Sequence, residues 1–395
     1  MVMTKDAKAK ADSDPRKVVL ALLMACVSPP NHATSARVAH YAARVRDWDS
    51  CLSALRHHRL ASQAYAHAQT KAFEGYPETV IKALRALHGA NVDRLESMRN
   101  ALHEAVVGLG EQNVPSICLR GPALAELLYE QATARHFDDF DIVVPRSQMT
   151  QARSVLSSLG YYSINELSRA LEDRVVSGGE SLQLKKPNSD FVLHLNWRVA
   201  SRHFQYEPID WNEEVIAMTL EGEGVRTLSA EDYALLLCAF GTQNEWSKLC
   251  WVADVAVLMQ RPGVDWERVK SLAERSGGVR MLLTAVVLTH LVCDSAIPPA
   301  LQALVDRDRK SWVLAKRIAD QHAANMEFVS RDDFGSQMFQ LRSRERTRDR
   351  IRYVTRSLLM PCARDYRALE LPTAFYALYF LFRPIRLISK SLCKA

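Results

Sequence analysis

The stretch RHFDDFDIVV, residues 135–144, decides how this chain is read. It places Asp138, Asp139 and Asp141 directly before an apolar, β-branched run that Pro145 stops. Side chains alternate between the two faces of a strand. Asp139 and Asp141 therefore share one face, Phe140 and Ile142 take the other, and Asp138 falls outside the pair. Two like charges on one face raise each other's pKa unless a cation lies between them. Hard oxygen ligands at such positions suit Mg²⁺, which takes one or two carboxylates and completes its shell with phosphate oxygens. A D-x-D by itself is common, and its ordinary reading is a solvated acidic strand entrance. The surrounding text has to decide between the two.

Upstream, VPSICL (114–119) reads as a strand and GPALAELLYE (121–130) as a helix, with Pro122 tolerated in its first turn. Downstream, SQMTQARSVLSSLG (147–160) reads as a helix with Met149, Ala152, Val155, Leu156 and Leu159 inward. SLQLKK (181–186) and FVLHLNWRV (191–199) read as strands separated by the turn signal KPNSD. Residues 113–200 thus form a small mixed α/β core. Before it, residues 1–17 are a polar tail expected to be disordered, and 18–112 carry helical periodicity that Gly108 and Gly110 are expected to close. The apolar run VVLALLMACV (18–27) is read as the first amphipathic helix rather than a signal-peptide core, since Pro29 and Pro30 follow it without a convincing cleavage site. The pair His57-His58, flanked by Arg56 and Arg59, reads as a solvated basic helix face rather than a metal or anion site. Helical patterning returns over 201–330, and 331–395 form a basic and aromatic helical tail expected to pack on the body. The fold class is α+β, with the mixed-sheet core embedded between N- and C-terminal helical regions.

Composition narrows the partners. The 395-residue chain carries a net charge of +6, too mild to imply nucleic acid, and no clear nucleic-acid motif accompanies it. Eight cysteines lie scattered with no C-x-x-C pair, which suits reduced thiols in a cytoplasmic protein and offers no zinc site. No segment reaches the roughly 20 apolar residues of a membrane span. The ending LPTAFYALYFLFRPIRLISKSLCKA (371–395) carries an aromatic-rich apolar segment, with Phe375, Tyr376, Leu378, Tyr379, Leu381 and Phe382, and Arg383, Arg386, Lys390 and Lys394 follow that segment. It has two readings: a module whose aromatics pack against the N-terminal helices and close the fold, or an amphipathic segment in peripheral contact with an anionic membrane. The first is favoured.

Several of these pieces together resemble a family of uncharacterised bacterial nucleotidyltransferases within the DNA polymerase beta-like, or minimal nucleotidyltransferase, superfamily. CLRGPALAELLY, ARHFDDFDIVV, LHLNWRV and WSKLCWVADVAVLM carry the core of the resemblance, and DWDSCLSALRHHRL, DWERVKSLAERSGG and the C-terminal ending extend it over most of the chain. The family's first strand ends in a Lys-Gly or similar pair, here Arg120-Gly121, and R-x-x-x-D-x-D follows, here Arg135, Asp139 and Asp141. The resemblance implies transfer of a nucleotidyl group from a nucleoside triphosphate, with Mg²⁺ or Mn²⁺ held by Asp139 and Asp141. The acceptor it implies is an unknown hydroxyl or phosphate group on a small molecule, peptide or protein. Gly121, without a β-carbon, would admit a phosphate at the helix start. Arg120 would add a cation near the phosphates. Arg135 would orient the two aspartates or contact phosphate.

The resemblance also implies a third carboxylate on a later strand, as metal ligand or base, and there the chain departs from the family. Where the family text reads acidic-Leu-His-Trp, this chain reads His194-Leu195-Asn196-Trp197. Neutral histidine can take a proton or ligate a metal at physiological pH, but it is a softer ligand than carboxylate. Asp190 shares the face of His194 at roughly 13 Å along a strand, too far to substitute. A second departure is GTQNEW (241–246), where the family often has a histidine near Asn244, whereas Asp254 matches a recurrent aspartate whose ordinary reading is a helix cap or buried polar contact. Two readings follow: an enzyme using Asp139, Asp141 and His194, or a nucleotide-binding or scaffold module that has kept the fold without the chemistry. The orientation of His194 separates them. Near the aspartate face it favours the enzyme; in an apolar pocket it favours the scaffold.

Overall fold

The computed structural model describes residues 14–165, 167–179, 181–206, 211, 217–220, 223–325, 333–369 and 371–392. The chain divides into two compact units, each drawn from separated stretches: Met1–Ser97, Ala125–Phe137 and Ala230–Ser343 in one, and Met98–Leu124, Asp138–Ser229 and Arg344–Ala395 in the other.

The first unit is helical. Its first helix, Pro15–Ala25, begins where Asp14 accepts a hydrogen bond from the Arg16 amide and proline occupies the first turn. Val18, Val19, Leu22 and Leu23 of the VVLALLMACV run are buried. Among its other helices, Trp266–Ser276 is capped by the Asp265 carboxylate and ends at Gly277, whose φ of 71° is the left-handed stop that glycine permits. The basic run at the end of Trp48–His57 departs from expectation. His58 is buried against His322, ring centroids 5.4 Å apart, and only Arg56 of the four residues is well exposed. His58 Nδ1 lies 3.4 Å from the Leu249 amide, so the ring seats the start of a neighbouring helix instead of solvating a charged face.

The second unit is built on a five-stranded mixed sheet in the order β1-β2-β5-β4-β3. The strands are β1 Ile117–Cys118, β2 Asp139–Val143, β3 Tyr162–Ser163, β4 Leu182–Lys185 and β5 Val192–Asn196. Only β2 and β5 run parallel; the other pairings are antiparallel. This architecture is the expected α+β class. β2 sits in the middle of the burial: Phe140, Ile142 and Val143 are fully enclosed, as an apolar run with β-branched ends requires. A short strand, β3, and a hairpin of β6 (Ala217–Leu220) and β7 (Glu223–Arg226) appear where periodicity had suggested none. The helix Glu78–Glu111 also runs on through Gly108 and Gly110, and the left-handed turn that ends it falls at Asn113, φ 57°.

The aromatic ending packs within this unit. Tyr366 and Tyr379 form a small core with Leu171 and Val175 of the helix Arg169–Ser177, and Phe382 and Tyr376 lie against it. Within this unit the packing partner of the ending is therefore this helix. Arg383 and Arg386, expected as a basic flank, both bind the buried carboxylate of Asp365, with Arg386 Nε 2.6 Å from Asp365 Oδ1. The Lys390 side chain and Lys394 lie outside the described residues. No helix among the described residues is long and apolar enough to cross a membrane.

Candidate active site

The pairing of β2 with β5 assembles the site. Asp141 lies in register with His194, Asp139 with Val192, and Val143 with Asn196. Residues paired across a ladder face the same side, so Asp139, Asp141, His194 and Asn196 share one face. His194 Nε2 stands 3.9 Å from Asp139 Oδ2, within reach of an ion pair when the imidazole is protonated but too long for a hydrogen bond. Its other nitrogen, Nδ1, is 3.4 Å from the Ser181 hydroxyl. The His194 side chain is 17% exposed and turned to the aspartate face.

The two carboxylates differ in setting. Asp139 is 31% exposed. Asp141 is buried, and both of its oxygens accept hydrogen bonds: Oδ2 from Arg120 Nε at 2.7 Å and Oδ1 from Asn196 Nδ2 at 3.0 Å. Burial alone would raise the Asp141 pKa. Together the Arg120 guanidinium, His194 and the two hydrogen bonds outweigh it and hold the carboxyl below the usual carboxylate range. Arg120, read from sequence as a cation near phosphates, is thus placed directly on the D-x-D. Asn196 and Ser181 were not singled out in the sequence for a polar role. Asn196 was legible as a same-face neighbour of His194, whereas Ser181 precedes β4 and is brought to His194 only by sheet pairing.

Gly121 joins β1 to the helix Pro122–Leu128 with φ +80°. A β-carbon there would stand 2.4 Å from Phe140 Cβ and 3.2 Å from the Asp139 carbonyl oxygen. Glycine is required by the close approach of this turn to β2, before any ligand is considered. Gly121→Ala is expected to cost about 2–5 kcal/mol, from roughly 1–2 for a left-handed backbone and 1–3 for overpacking. Chemical denaturation measures it. An alanine variant as stable as the parent would contradict the contact.

Arg135 does not take the role expected of it. It is 3% exposed and pairs bidentately with Asp254, itself fully buried, through Nε–Oδ1 at 2.8 Å and Nη2–Oδ2 at 2.9 Å. Nη1 donates to the His136 carbonyl. The Tyr129 hydroxyl donates to Asp254 Oδ1 at 2.6 Å, and the guanidinium stacks over Phe137 at 4.5 Å. All three guanidinium nitrogens are committed inside the helical unit. The arginine of R-x-x-x-D-x-D is a structural clasp here, and Asp254 is the buried polar contact of its ordinary reading.

No curated protein matches the chain. Among solved structures, the chain is similar to the antibiotic-resistance factor ANT(2'')-Ia at 15% identity, covering 46% of this chain and 91% of that one, with a TM-score of 0.32. The model of the family described as "Uncharacterised nucleotidyltransferase" matches residues 44–294, more than half of the chain and the whole of the five-stranded sheet. This protein belongs to that nucleotidyltransferase family.

Proposed function

We propose that the protein transfers a nucleotidyl group from a nucleoside triphosphate to a hydroxyl or phosphate acceptor, the acceptor oxygen bonding the α-phosphorus as the α–β phosphoanhydride bond breaks and pyrophosphate leaves, with a divalent cation, Mg²⁺ or Mn²⁺, at Asp139 and Asp141. The observation that carries the reading is the placement of His194: in register with Asp141, 3.9 Å from Asp139, and facing the carboxylates rather than an apolar pocket. It favours the enzyme over a scaffold that has lost the chemistry.

The donor set fits one cation of this kind. Among the described residues no group of three or more His, Cys, Asp or Glu is arranged to hold a metal. Two carboxylates on one face are nevertheless what Mg²⁺ ordinarily takes from protein when substrate phosphates supply further oxygens. When bound, the cation would neutralise triphosphate charge and favour deprotonation of the attacking group. The residues have distinct tasks. Asp139, the more exposed carboxylate, meets the incoming ligand. Asn196 fixes the orientation of Asp141, and Arg120 keeps it ionised. The Arg120 guanidinium also suits a phosphate oxygen as a bidentate donor. His194, oriented by Ser181, accepts the acceptor's proton. Gly121, without a β-carbon, would let a phosphate approach the start of the helix Pro122–Leu128.

Incubation with labelled nucleoside triphosphates and Mg²⁺ or Mn²⁺, followed by a search for label on the protein or on components of a cell extract, tests the reading. If His194 is the proton acceptor, His194→Ala lowers transfer by about 10²–10⁴-fold with little change in melting temperature, and His194→Asp retains Mg²⁺-dependent transfer. A His194→Ala protein that melts early and turns over normally would reduce the residue to packing.

A further inference from the structure

The helices Thr347–Leu359 and Tyr379–Leu392 pack on each other in the sheet-bearing unit, yet their outer faces are apolar. Ile351, Leu358 and Leu359 on the first and Phe380, Leu381 and Ile385 on the second are all exposed, Leu381 to 66% and Ile385 to 64%. On the first helix only Tyr353 is buried, so most of its apolar surface faces outward. A soluble chain rarely leaves such side chains grouped on neighbouring helices unless something covers them.

The charge of the chain is unevenly spread. Residues 344–395 hold twelve Arg and Lys against four Asp and Glu, a surplus of eight in a chain whose whole net charge is +6. The rest of the protein is therefore slightly acidic, and the positive charge is concentrated on the stretch that carries the apolar faces. A second, separate observation points the same way. Arg146 and Arg198 both lie over the Trp197 ring, at 4.6 and 5.3 Å from its centroid. Burial, then the guanidinium groups of Arg356 and Arg146, pull the Arg198 pKa down. Arg356 belongs to the helix Thr347–Leu359. Among the described residues none of Arg146, Arg198 and Arg356 has an acidic ion-pair partner; Arg198 and Arg356 donate to backbone carbonyls. Burial and the neighbouring Arg202, Arg344, Arg356 and Arg383 likewise push the His203 pKa down to about 3. Mutually repelling cations in the unit that carries these apolar helix faces match an anionic headgroup layer over an acyl boundary.

We infer that the outer faces of Thr347–Leu359 and Tyr379–Leu392, with Arg146, Arg198 and Arg356, dock the protein peripherally on an anionic lipid surface. This does not depend on the nucleotidyl-transfer reading. Deleting the ending would be a poor test, because Tyr379 and Phe382 belong to the unit's packing; exposed positions are substituted instead. Co-sedimentation of the full-length protein with phosphatidylglycerol vesicles is expected at low salt, weakening at least about tenfold at high salt, with little binding to phosphatidylcholine vesicles. Leu358→Asp with Leu381→Asp, and separately Arg146→Gln with Arg356→Gln, should each lower vesicle affinity by about tenfold or more while melting like the parent. A parent protein that ignores phosphatidylglycerol vesicles overturns the inference without recourse to any variant. So do vesicle-bound variants of undiminished affinity. A concentration-dependent dimer that Leu358→Asp with Leu381→Asp dissociates, seen by sedimentation velocity in place of vesicle binding, would assign the face to a second copy of the chain.

Discussion

Asp139→Asn combined with Asp141→Asn is expected to remove metal-dependent nucleotide binding and transfer while leaving the chain folded. Charge neutralisation by a bound cation is worth several kcal/mol. At about 1.4 kcal/mol per factor of ten, transfer should fall by roughly a thousandfold. Mg²⁺–ATP affinity should fall by about a hundredfold on the same scale. The fold survives because Asp139 is partly exposed and asparagine at 141 keeps an acceptor for Arg120. The buried position still carries a cost of about 1–3 kcal/mol, since the ion pair with Arg120 becomes a bond from the guanidinium to a neutral amide. Isothermal titration with Mg²⁺–ATP, alongside a denaturation curve, separates the two effects. Undiminished Mg²⁺–ATP affinity in a folded double variant would sink the assignment of both aspartates.

The clasp of Arg135 and Asp254 carries the largest expected stability effect. Removing one partner of a buried ion pair strands the other charge, at about 3–5 kcal/mol, against a total stability on the order of 5–15 kcal/mol for a domain. Asp254→Ala should be the worse of the two single changes, because it leaves both the buried Arg135 guanidinium and the Tyr129 hydroxyl without the carboxylate they share. Arg135→Met combined with Asp254→Leu removes both charges and should recover much of the loss. Melting temperatures and urea midpoints of the two single variants and the double form a thermodynamic cycle. If the Arg135→Met protein instead melts like the parent and loses nucleotide transfer, Arg135 acts on the ligand and the clasp is incidental.

These two expectations fall on adjacent parts of one motif, and they show where sequence stops deciding. The aspartate pair was legible because strand alternation is a local property: Asp139, Asp141, Phe140 and Ile142 sort to opposite faces with no knowledge of the rest of the chain. His194 and Asn196 sort by the same alternation, and Gly121 was marked by its place between a strand and a helix. The helices with clear caps, such as Trp266–Ser276 between Asp265 and Gly277, are local in the same sense.

What local pattern does not contain is the partner of a charged side chain. Arg135 stands four residues from Asp139, yet it binds Asp254, because a buried guanidinium takes the carboxylate that desolvation and packing bring to it. Arg120 reaches Asp141 across the β1–β2 pairing, and Ser181 reaches His194 only because β4 lies beside β5. Edge strand β3 is two residues long and too brief to leave a period. The basic pair at His57-His58 looked solvated, and burial against His322 is a matter of tertiary contact. So the sequence by itself determined the α+β class, the aspartate face and the nucleotidyltransferase resemblance, all of which rest on short-range periodicity and motif. Only the tertiary structure decided which cation answers which carboxylate and which apolar helix faces stay open to solvent, because both depend on residues far apart in the chain meeting in a low-dielectric interior or failing to be covered by it.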